Sequence, residues 1–510
     1  MVSSPRSSYA RGTTFVATVI CQVSLPSHNS PAGTMITRIF RTHSVSRGGI
    51  AVALLVGIAL PGCKEDAPSV PPIDYGSIST IKYSQHVEPL FTSRCATGGC
   101  HDSGTKAAGL ALVSWDDVFN GSRFGEVVVP FQSTRSLLTL LFDGTLLRKA
   151  HPGGATFSSD EIAFLKRWIN EGARNDDGSI LRTPPQRRLY VPNQGDDNVA
   201  IVDLDRLVVS RYVGVGNSPA NDAPHFVAAN QDYWYVSLIG GGQVWKFDAH
   251  SDTLVASAAV AGSPALLELT PDGSKLYVSQ FMTSSTNRVI VLNTTSMNTI
   301  KTIPVWTMPH GIRMNHAGTT LYVANMMSDN ISVIDVATDS VVTTVPLAWD
   351  AIPFGPPKYM PMEIAVSPND SIIMVTCSEW DEVRMFSAAT NTLIDSFSVG
   401  DQPWHLQFTP DGEFCYVSNR LGNTVSAIHV PMRHVMSTIS GAGTFALPHG
   451  CDISADGRHV FISSENVSHV FVPRYNTDFV GNVGIIDHAT GLIAKVLEVG
   501  IMPTGLSTVH

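Results

Sequence analysis

Cysteine, charge and long apolar runs are all scarce in this chain of 510 residues. Seven cysteines are too few for the dense disulfide framework of a small secreted domain. Charged residues make up 15% of the chain and the net charge is −10, which argues against a nucleic-acid-binding surface. The apolar run Ile50–Leu60 is too short to cross a bilayer as a helix.

The N-terminal region predicts an exported protein. The run Ile50–Leu60 follows Arg38, Arg41 and Arg47 and precedes a small residue, an order typical of a secretory signal. Residues 1–63 are therefore predicted to be an export signal, and the mature chain is expected to lie outside the cytoplasm.

The end of this signal, Leu60-Pro61-Gly62-Cys63, resembles the lipobox of bacterial lipoproteins. The resemblance implies that Cys63 becomes the lipidated first residue and tethers the chain to a membrane, as a periplasmic, outer-membrane or cell-surface lipoprotein. Cleavage nearby without lipidation, which leaves a soluble periplasmic protein, is the alternative. Residues 1–34 lack a coherent pattern, and Met35 is a candidate start.

The most informative short motif is Cys95-Ala-Thr-Gly-Gly-Cys100-His101. Two thiols followed by an imidazole are the arrangement that attaches a c-type haem, because the thiols bind the porphyrin and the histidine faces the iron. The spacer has four residues instead of the usual two, and Gly98 and Gly99 allow it to bulge. A disulfide or part of a zinc site is the alternative. The export signal agrees with haem, since haem c is attached outside the cytoplasm.

Residues 80–175 are predicted to form a compact helical domain. Ser158–Glu161 has the pattern of a helix capping box, and Ile162–Ile169 continues it with an apolar stripe. The flanking segments are richer in turn-forming residues. Residues 64–79 are predicted to be a semi-extended tether, and residues 176–187 a linker.

The order of motifs in residues 80–175 resembles the planctomycete-type cytochrome c domain. Besides the haem motif, the resemblance rests on Val87–Phe91, Gly109–Leu112, Ser114–Val118, Val127–Pro130, Ser136–Leu138 and Trp168–Ala173. It implies a small all-α module with one covalent haem that transfers electrons. Cys95 and Cys100 then form the thioethers, and His101 is the proximal iron ligand.

The second axial ligand departs from that family. Methionine is absent between Met35 and Met282, so the domain cannot supply the usual sulfur ligand before its last helix. His151 is the predicted distal ligand, with His86 as the alternative and an open or water-bound position as the third case. Because methionine ligation raises the potential of a c-type haem, two histidines predict a lower reduction potential.

From about Arg188 onward the chain repeats a strand-rich unit. The β-rich dipeptide recurs at spacings of 42 to 52 residues, starting at Tyr190, Tyr235, Tyr277, Tyr322, Met374, Tyr416 and Phe461. Four strands per repeat of this length make one propeller blade, so residues 188–510 predict a seven-bladed β-propeller. The repeats, such as Tyr416–Asn419, resemble the YVTN-type propeller family. The predicted fold class is multidomain, a small all-α cytochrome c domain followed by an all-β propeller.

The termini of the repeat region predict how the ring closes. The first repeat begins at its second strand, and the chain ends on the Pro-led segment Pro503–His510. This last strand is expected to be the innermost strand of blade one, an arrangement that removes open sheet edges.

The innermost strands begin at prolines and line the central channel. Aligning these prolines brings imidazoles and a thioether to one mouth of the channel: His225, His310, Met362, His405 and His449. This ligand set suits copper, particularly Cu(I). The alternative is that these side chains only pack and hydrogen-bond in a narrow funnel. Insertions at 349–358 and 467–478 extend the same rim and are candidate binding surfaces for a small molecule or a protein.

These features predict an exported, membrane-tethered monohaem cytochrome whose propeller docks a redox partner or a substrate. One alternative is a periplasmic oxidoreductase with copper or a substrate at the propeller hub. The other is a non-redox scaffold protein. An electron carrier is favoured over a catalyst, because no nucleophile-base pair or metal-hydrolase signature stands out in the sequence.

Overall fold

Seven four-stranded antiparallel sheets make up most of the described chain, and a helical segment precedes them. The computed structural model describes residues 73–146, 156–281, 287–348, 357–474 and 479–509. Both parts belong to the unit Pro72–His510. The predicted export signal with Cys63 lies outside the described residues, as do His151 and parts of both rim insertions.

Four short α-helices form the helical segment in the described residues: α1 (Glu88–Arg94), α2 (Trp115–Phe119), α3 (Leu137–Phe142) and α4 (Ser159–Asn170). Single helical turns occupy Tyr83–Val87, Ala107–Gly109, Ser133–Arg135 and Pro185–Arg187. The predicted capping box is confirmed, because Ser158 Oγ accepts from the Glu161 N–H at 3.2 Å and the Glu161 carboxylate accepts from the Ser158 N–H at 2.8 Å. Within the described chain, no helix has the length and apolarity to span a membrane.

The helices close around Trp168. Its side chain is buried, and its ring centroid lies 5.8 Å from that of Tyr83 and 6.3 Å from that of Phe91. The end of the predicted tether differs from expectation, because Tyr75 packs on Phe164 with ring centroids 4.8 Å apart. An aromatic ring gains more from burial against this core than from an extended, solvated position.

Each sheet is one blade, and its four strands are named here in order from the central channel to the outer edge. The strands of blades one to three are Ser507–Thr508, Arg188–Asn193, Asn198–Asp203, Val208–Gly214; Pro224–Ala229, Tyr233–Leu238, Gln243–Asp248, Leu254–Ala259; and Ser263–Leu269, Lys275–Phe281, Arg288–Asn293, Thr299–Pro304. Those of blades four and five are Pro309–Met314, Thr320–Asn325, Asn330–Asp335, Ser340–Pro346; and Pro361–Val366, Ile372–Cys377, Glu382–Ser387, Leu393–Ser398. Those of blades six and seven are Pro403–Phe408, Phe414–Asn419, Thr424–His429, His434–Ser440; and Pro448–Ile453, His459–Ser464, Val480–Asp487, Leu492–Ile501. The predicted seven-bladed propeller is confirmed.

The C-terminal strand closes the ring as the sequence predicts. Ser507–Thr508 pairs with blade one, and Pro503 forms a bridge to Asn193. The Thr508 N–H also donates to Asp452 of blade seven at 2.6 Å. The last residues therefore bond to the first and the last blade together.

Deleting Pro503–His510 tests this closure. The deletion removes the buried side chain of Leu506 and leaves the second strand of blade one as an open edge. We expect the free energy of unfolding to fall by more than about 3 kcal/mol, the cost of losing one large core side chain. Denaturant unfolding measures this, with removal of His510 alone as the control. An unchanged midpoint would contradict the closure.

Candidate functional site

The haem motif forms a tight loop after α1. Cys95 ends α1, and its carbonyl accepts from the His101 N–H at 3.0 Å. The Cys100 N–H donates to Thr97 at 3.0 Å, and both cysteines are free thiols. Burial raises the pKa of Cys95 to about 12, and the nearby Cys100 adds to the rise. Burial therefore favours the thiol form of Cys95 when no metal is bound.

His101 is fixed through its backbone and through its ring. Its carbonyl accepts from the Leu112 N–H at 2.9 Å, and Nδ1 lies 3.2 Å from the Leu110 carbonyl oxygen. Because a carbonyl can only accept, the hydrogen bond assigns the proton to Nδ1 and the lone pair to Nε2. Histidines that bind metal through Nε2 have this tautomer and this kind of backbone partner.

His86 has the opposite arrangement. Its Nδ1 accepts from the Lys82 N–H at 2.9 Å, so a neutral ring has its proton on Nε2. That nitrogen then has no lone pair for iron. The other candidate distal ligand, His151, lies outside the described residues.

The helical segment is anchored to the edge of the propeller by Arg135. Its guanidinium donates to the Asp196 carboxylate at 2.7 Å and to the Val499 carbonyl at 3.1 Å. The same group lies 4.5 Å from the ring centroid of Tyr212. Asp196 and Tyr212 belong to blade one and Val499 to blade seven. One half-buried arginine thus joins the helices to blades one and seven, where the ring of blades closes.

The residues that directly follow the aligned prolines form a ring of hydrogen-bonded carbonyls. In five cases a hydroxyl on the second strand of one blade donates to a carbonyl on the inner strand of the next. The pairs are Ser237 to Ala265 (2.6 Å), Ser279 to His310 (2.7 Å), Thr376 to Trp404 (2.8 Å), Ser418 to His449 (2.7 Å) and Ser463 to Thr504. This repeated bond sets the position of each inner strand along the axis of the central channel.

Two blades lack the hydroxyl, since blade one has a proline and blade four an alanine at that position. Side chains of the ring itself replace it. Thr504 Oγ1 donates to the His225 carbonyl at 2.8 Å, and His310 Nδ1 donates to the Met362 carbonyl at 3.0 Å. All seven carbonyls are therefore bonded, which confirms the alignment of the inner strands on their prolines.

Five polar side chains meet at this ring, and we call them the hub cluster: His225, His310, Glu363, His405 and His449. Each is at most 6% exposed. The imidazole centroids form a closed quadrilateral with sides of 5.8 Å (His225 to His310), 6.4 Å (His310 to His405), 4.9 Å (His405 to His449) and 5.4 Å (His449 to His225). The structure thus brings together the four histidines that the sequence predicts at one mouth of the channel.

Burial keeps the hub cluster uncharged near neutral pH. It lowers the pKa of His225 to about 3 and that of His310 to about 4. Burial, assisted by the neighbouring imidazoles, also lowers the pKa of His405 and His449 well below the usual range. Burial raises the pKa of Glu363 to about 8, although a nearby arginine opposes the rise.

Several polar atoms of the hub cluster have no hydrogen-bond partner among the described residues. They are both ring nitrogens of His225, Nε2 of His405, Nδ1 of His449 and both carboxyl oxygens of Glu363. Buried polar atoms in proteins are nearly always paired with protein, water or an ion. No three His, Cys, Asp or Glu side chains in the described ranges already stand in metal-binding geometry.

A polar cavity of about 210 Å³ opens at the other end of the channel. Glu268, Arg313, Gln407 and Asp452 line it, together with the turns that follow the inner strands. His405 also lines the cavity, which therefore reaches the hub cluster.

The hydroxyl residues of the carbonyl ring and Arg135 were not predicted from the sequence. The hydroxyls have a recognisable signal, because Ser237, Ser279, Ser418 and Ser463 each stand two residues after the repeated aromatic. Arg135 has none, since its partners are distant in the chain.

Residues 178–345 and 360–479 match the family "Lactonase, 7-bladed beta-propeller". The chain is 29% identical over 167 residues to the seven-bladed beta-propeller protein Rv1057 of Mycobacterium tuberculosis. The aligned region covers 32% of this chain and 39% of that protein. The chain is also 21% identical over 195 residues to a 6-phosphogluconolactonase of Yersinia pestis. This aligned region covers 37% of this chain and 57% of that enzyme. The chain thus spans about two fifths to three fifths of the length of these curated relatives.

A functionally unknown protein from Desulfotomaculum acetoxidans has a similar solved structure. The TM-score is 0.51 at 14% identity, over 64% of this chain and 99% of that one. This likeness shows the shared fold.

The substitution Ser418→Ala tests the carbonyl ring. Ser418 Oγ accepts from the His405 N–H at 3.0 Å and donates to the His449 carbonyl, so its loss leaves two buried groups unpaired. We expect the free energy of unfolding to fall by about 1–3 kcal/mol. Ser396→Ala, on an exposed outer strand, is the control. Equal stability of the two variants would show that the hydroxyls do not position the hub.

Proposed function

We propose that this chain, which belongs to the seven-bladed β-propeller lactonase family, is a monohaem c-type cytochrome whose propeller docks a redox partner or a substrate. The observation that carries the proposal is the hydrogen bond between His101 Nδ1 and the Leu110 carbonyl, directly after the paired thiols of Cys95 and Cys100. We further propose that the mature protein is exported and tethered to a membrane through Cys63.

The residues of the motif fit a covalent haem. Cys95 and Cys100 supply the two thiols, and His101 supplies the imidazole. The neighbouring side chains of Phe91, Leu110 and Leu112 are buried and apolar. They exclude water and lower the local dielectric, a property that tunes the potential of a haem site. The haem, when bound, supplies one-electron transfer.

The two alternatives for the motif fit less well. A structural zinc site needs four ligands, whereas the motif supplies three, Cys95, Cys100 and His101. A disulfide would leave His101, directly after the second cysteine, without a role.

His151 remains the proposed distal ligand. The competing His86 uses Nδ1 as an acceptor, which leaves the proton on Nε2. To ligate iron, His86 would first have to give up its bond to the Lys82 backbone.

The propeller would act as the docking body. Arg135 ties the helical segment to blades one and seven, so a partner bound to the propeller would meet the haem module in a fixed position. Fixed placement matters for an electron carrier, because a bound partner has to be oriented before it reacts.

Covalent haem attachment is the test. The full chain is produced in a host that matures c-type cytochromes, and haem is stained after denaturing electrophoresis. We expect a stained band for the wild type and for Cys415→Ala, and none for the double variant C95S/C100S. A colourless wild type would contradict the proposal. In the same series, His151→Ala should turn the oxidised spectrum high-spin, whereas His86→Ala should leave it unchanged.

A second candidate function is the hydrolysis of a lactone. The family match and the relatives named 6-phosphogluconolactonase favour it, and so does the polar cavity of about 210 Å³. There Glu268 Oε2 lies 3.7 Å from Arg313 Nη1. A carboxylate can activate water as a general base, and a guanidinium can stabilise the oxyanion that develops.

An assay of lactone hydrolysis tests this candidate. The substrate is a phosphorylated sugar lactone, and the acid released is measured as the base needed to hold the pH constant. If it holds, Glu268→Gln should lower kcat about 100-fold or more, the usual contribution of a general base. Glu379→Gln, an exposed residue, should leave the rate unchanged. A wild-type rate equal to the uncatalysed rate would eliminate the candidate.

A further inference from the structure

We propose that the hub cluster binds one zinc or copper(II) ion through the imidazoles of His225, His405 and His449 and the carboxyl group of Glu363. The site lies in the propeller and shares no residue with the proposed haem site, so it goes beyond the proposed function.

The spacing of two ring pairs, both of which include His449, suits a shared ion. Zinc binds histidine nitrogen at about 2.0–2.1 Å, so two imidazoles on one tetrahedral ion have ring centroids about 5 Å apart. His405 and His449 are 4.9 Å apart by this measure, and His225 and His449 are 5.4 Å apart. His405 Nε2 lies 3.8 Å from Glu363 Oε2, longer than the roughly 3.4 Å between two ligand atoms on one tetrahedral ion, so a small approach is needed.

The same side chains hold the polar atoms that lack partners. His225, His405 and His449 each have a buried nitrogen without a hydrogen bond. Neither oxygen of Glu363 accepts one, although Arg313 Nη2 lies 3.8 Å from Glu363 Oε1. An ion would pair these atoms at once.

A second carboxylate stands near the hub cluster, behind the ring of His449. Glu465 Oε1 lies 3.9 Å from His449 Nε2, on the side of the ring away from the unpartnered Nδ1. Arg420 holds Glu465 in place with a contact of 2.6 Å. A carboxylate that orients a histidine from behind is a common feature of metal sites. The present contact is longer than a hydrogen bond, so Glu465 is assigned as a positioning residue that would orient His449 once the ring turns toward it.

Completion of the site requires the rings to turn, because the described side chains do not stand in metal-binding geometry. The χ2 torsion of histidine has a broad energy profile, so a small rotation is inexpensive. The ring of bonded carbonyls holds the backbone during this rotation, with the His449 carbonyl bonded to Ser418. The cavity at the other end of the channel reaches His405 and offers an entry path.

Metal analysis of the full-length protein without a histidine tag tests the proposal. After chelator treatment, the protein is exposed to zinc or copper(II), desalted and analysed by mass spectrometry for bound metal. We expect one equivalent per chain, counted separately from haem iron. The double variant H225Q/H449Q should lose the ion, and Glu465→Gln should bind it about 10–100-fold more weakly. His316→Ala, an exposed histidine, should bind as the wild type does.

Paramagnetic resonance of the copper(II) form gives a second measurement. Splitting from at least two imidazole nitrogens supports the site, whereas an oxygen-only pattern would overturn it. Equal binding by the wild type and H225Q/H449Q would also overturn it, as would a wild type that retains no metal. If the double variant does not fold, H405N alone replaces it, with circular dichroism as the folding control. The haem-free variant C95S/C100S should still bind the ion, so failure of the haem proposal is distinguishable.

Discussion

The ring of seven hydrogen-bonded carbonyls around the central channel is the constraint on which the propeller hub depends. Hydroxyls such as Ser279 and Ser418 bond the second strand of one blade to the inner strand of the next. Each bond fixes the position of an inner strand along the channel axis. Each hub histidine is the first or second residue after the proline that begins its inner strand. Without a common height the imidazoles would not share one buried layer. The rigidity of the hub is thus a consequence of contacts between blades and not of any single blade.

Much of this arrangement could be predicted from the sequence because it repeats. A strand period of two and a blade period of 42 to 52 residues identify the propeller, and the prolines fix the register of the inner strands. The final strand could be assigned to blade one, since the first repeat lacks its own inner strand. The helical capping box at Ser158 was visible for a similar reason, because capping depends only on neighbouring residues.

Other features depend on long-range contacts and have no local signal. Arg135 meets Asp196 and Val499 only after both parts have folded, so no pattern near Arg135 predicts its role. Tyr75 was expected in a solvated tether but packs on Phe164. The sequence placed histidines at the hub, yet their unpartnered nitrogens could be recognised only from the surrounding side chains. The tautomers of His86 and His101 likewise follow from backbone groups that the sequence does not position.

A proposed electron-carrying module thus precedes a propeller whose hub is buried, polar and uncharged near neutral pH. The proposed function requires that Cys95 and Cys100 carry a haem. Trypsin cleaves after Arg94 and Lys106, so the peptide Cys95–Lys106 contains the whole motif. Mass spectrometry of this peptide, from protein matured in a competent host, decides whether the haem is attached. We expect a single peptide that carries one haem. An unmodified peptide with both thiols free to alkylate would contradict it.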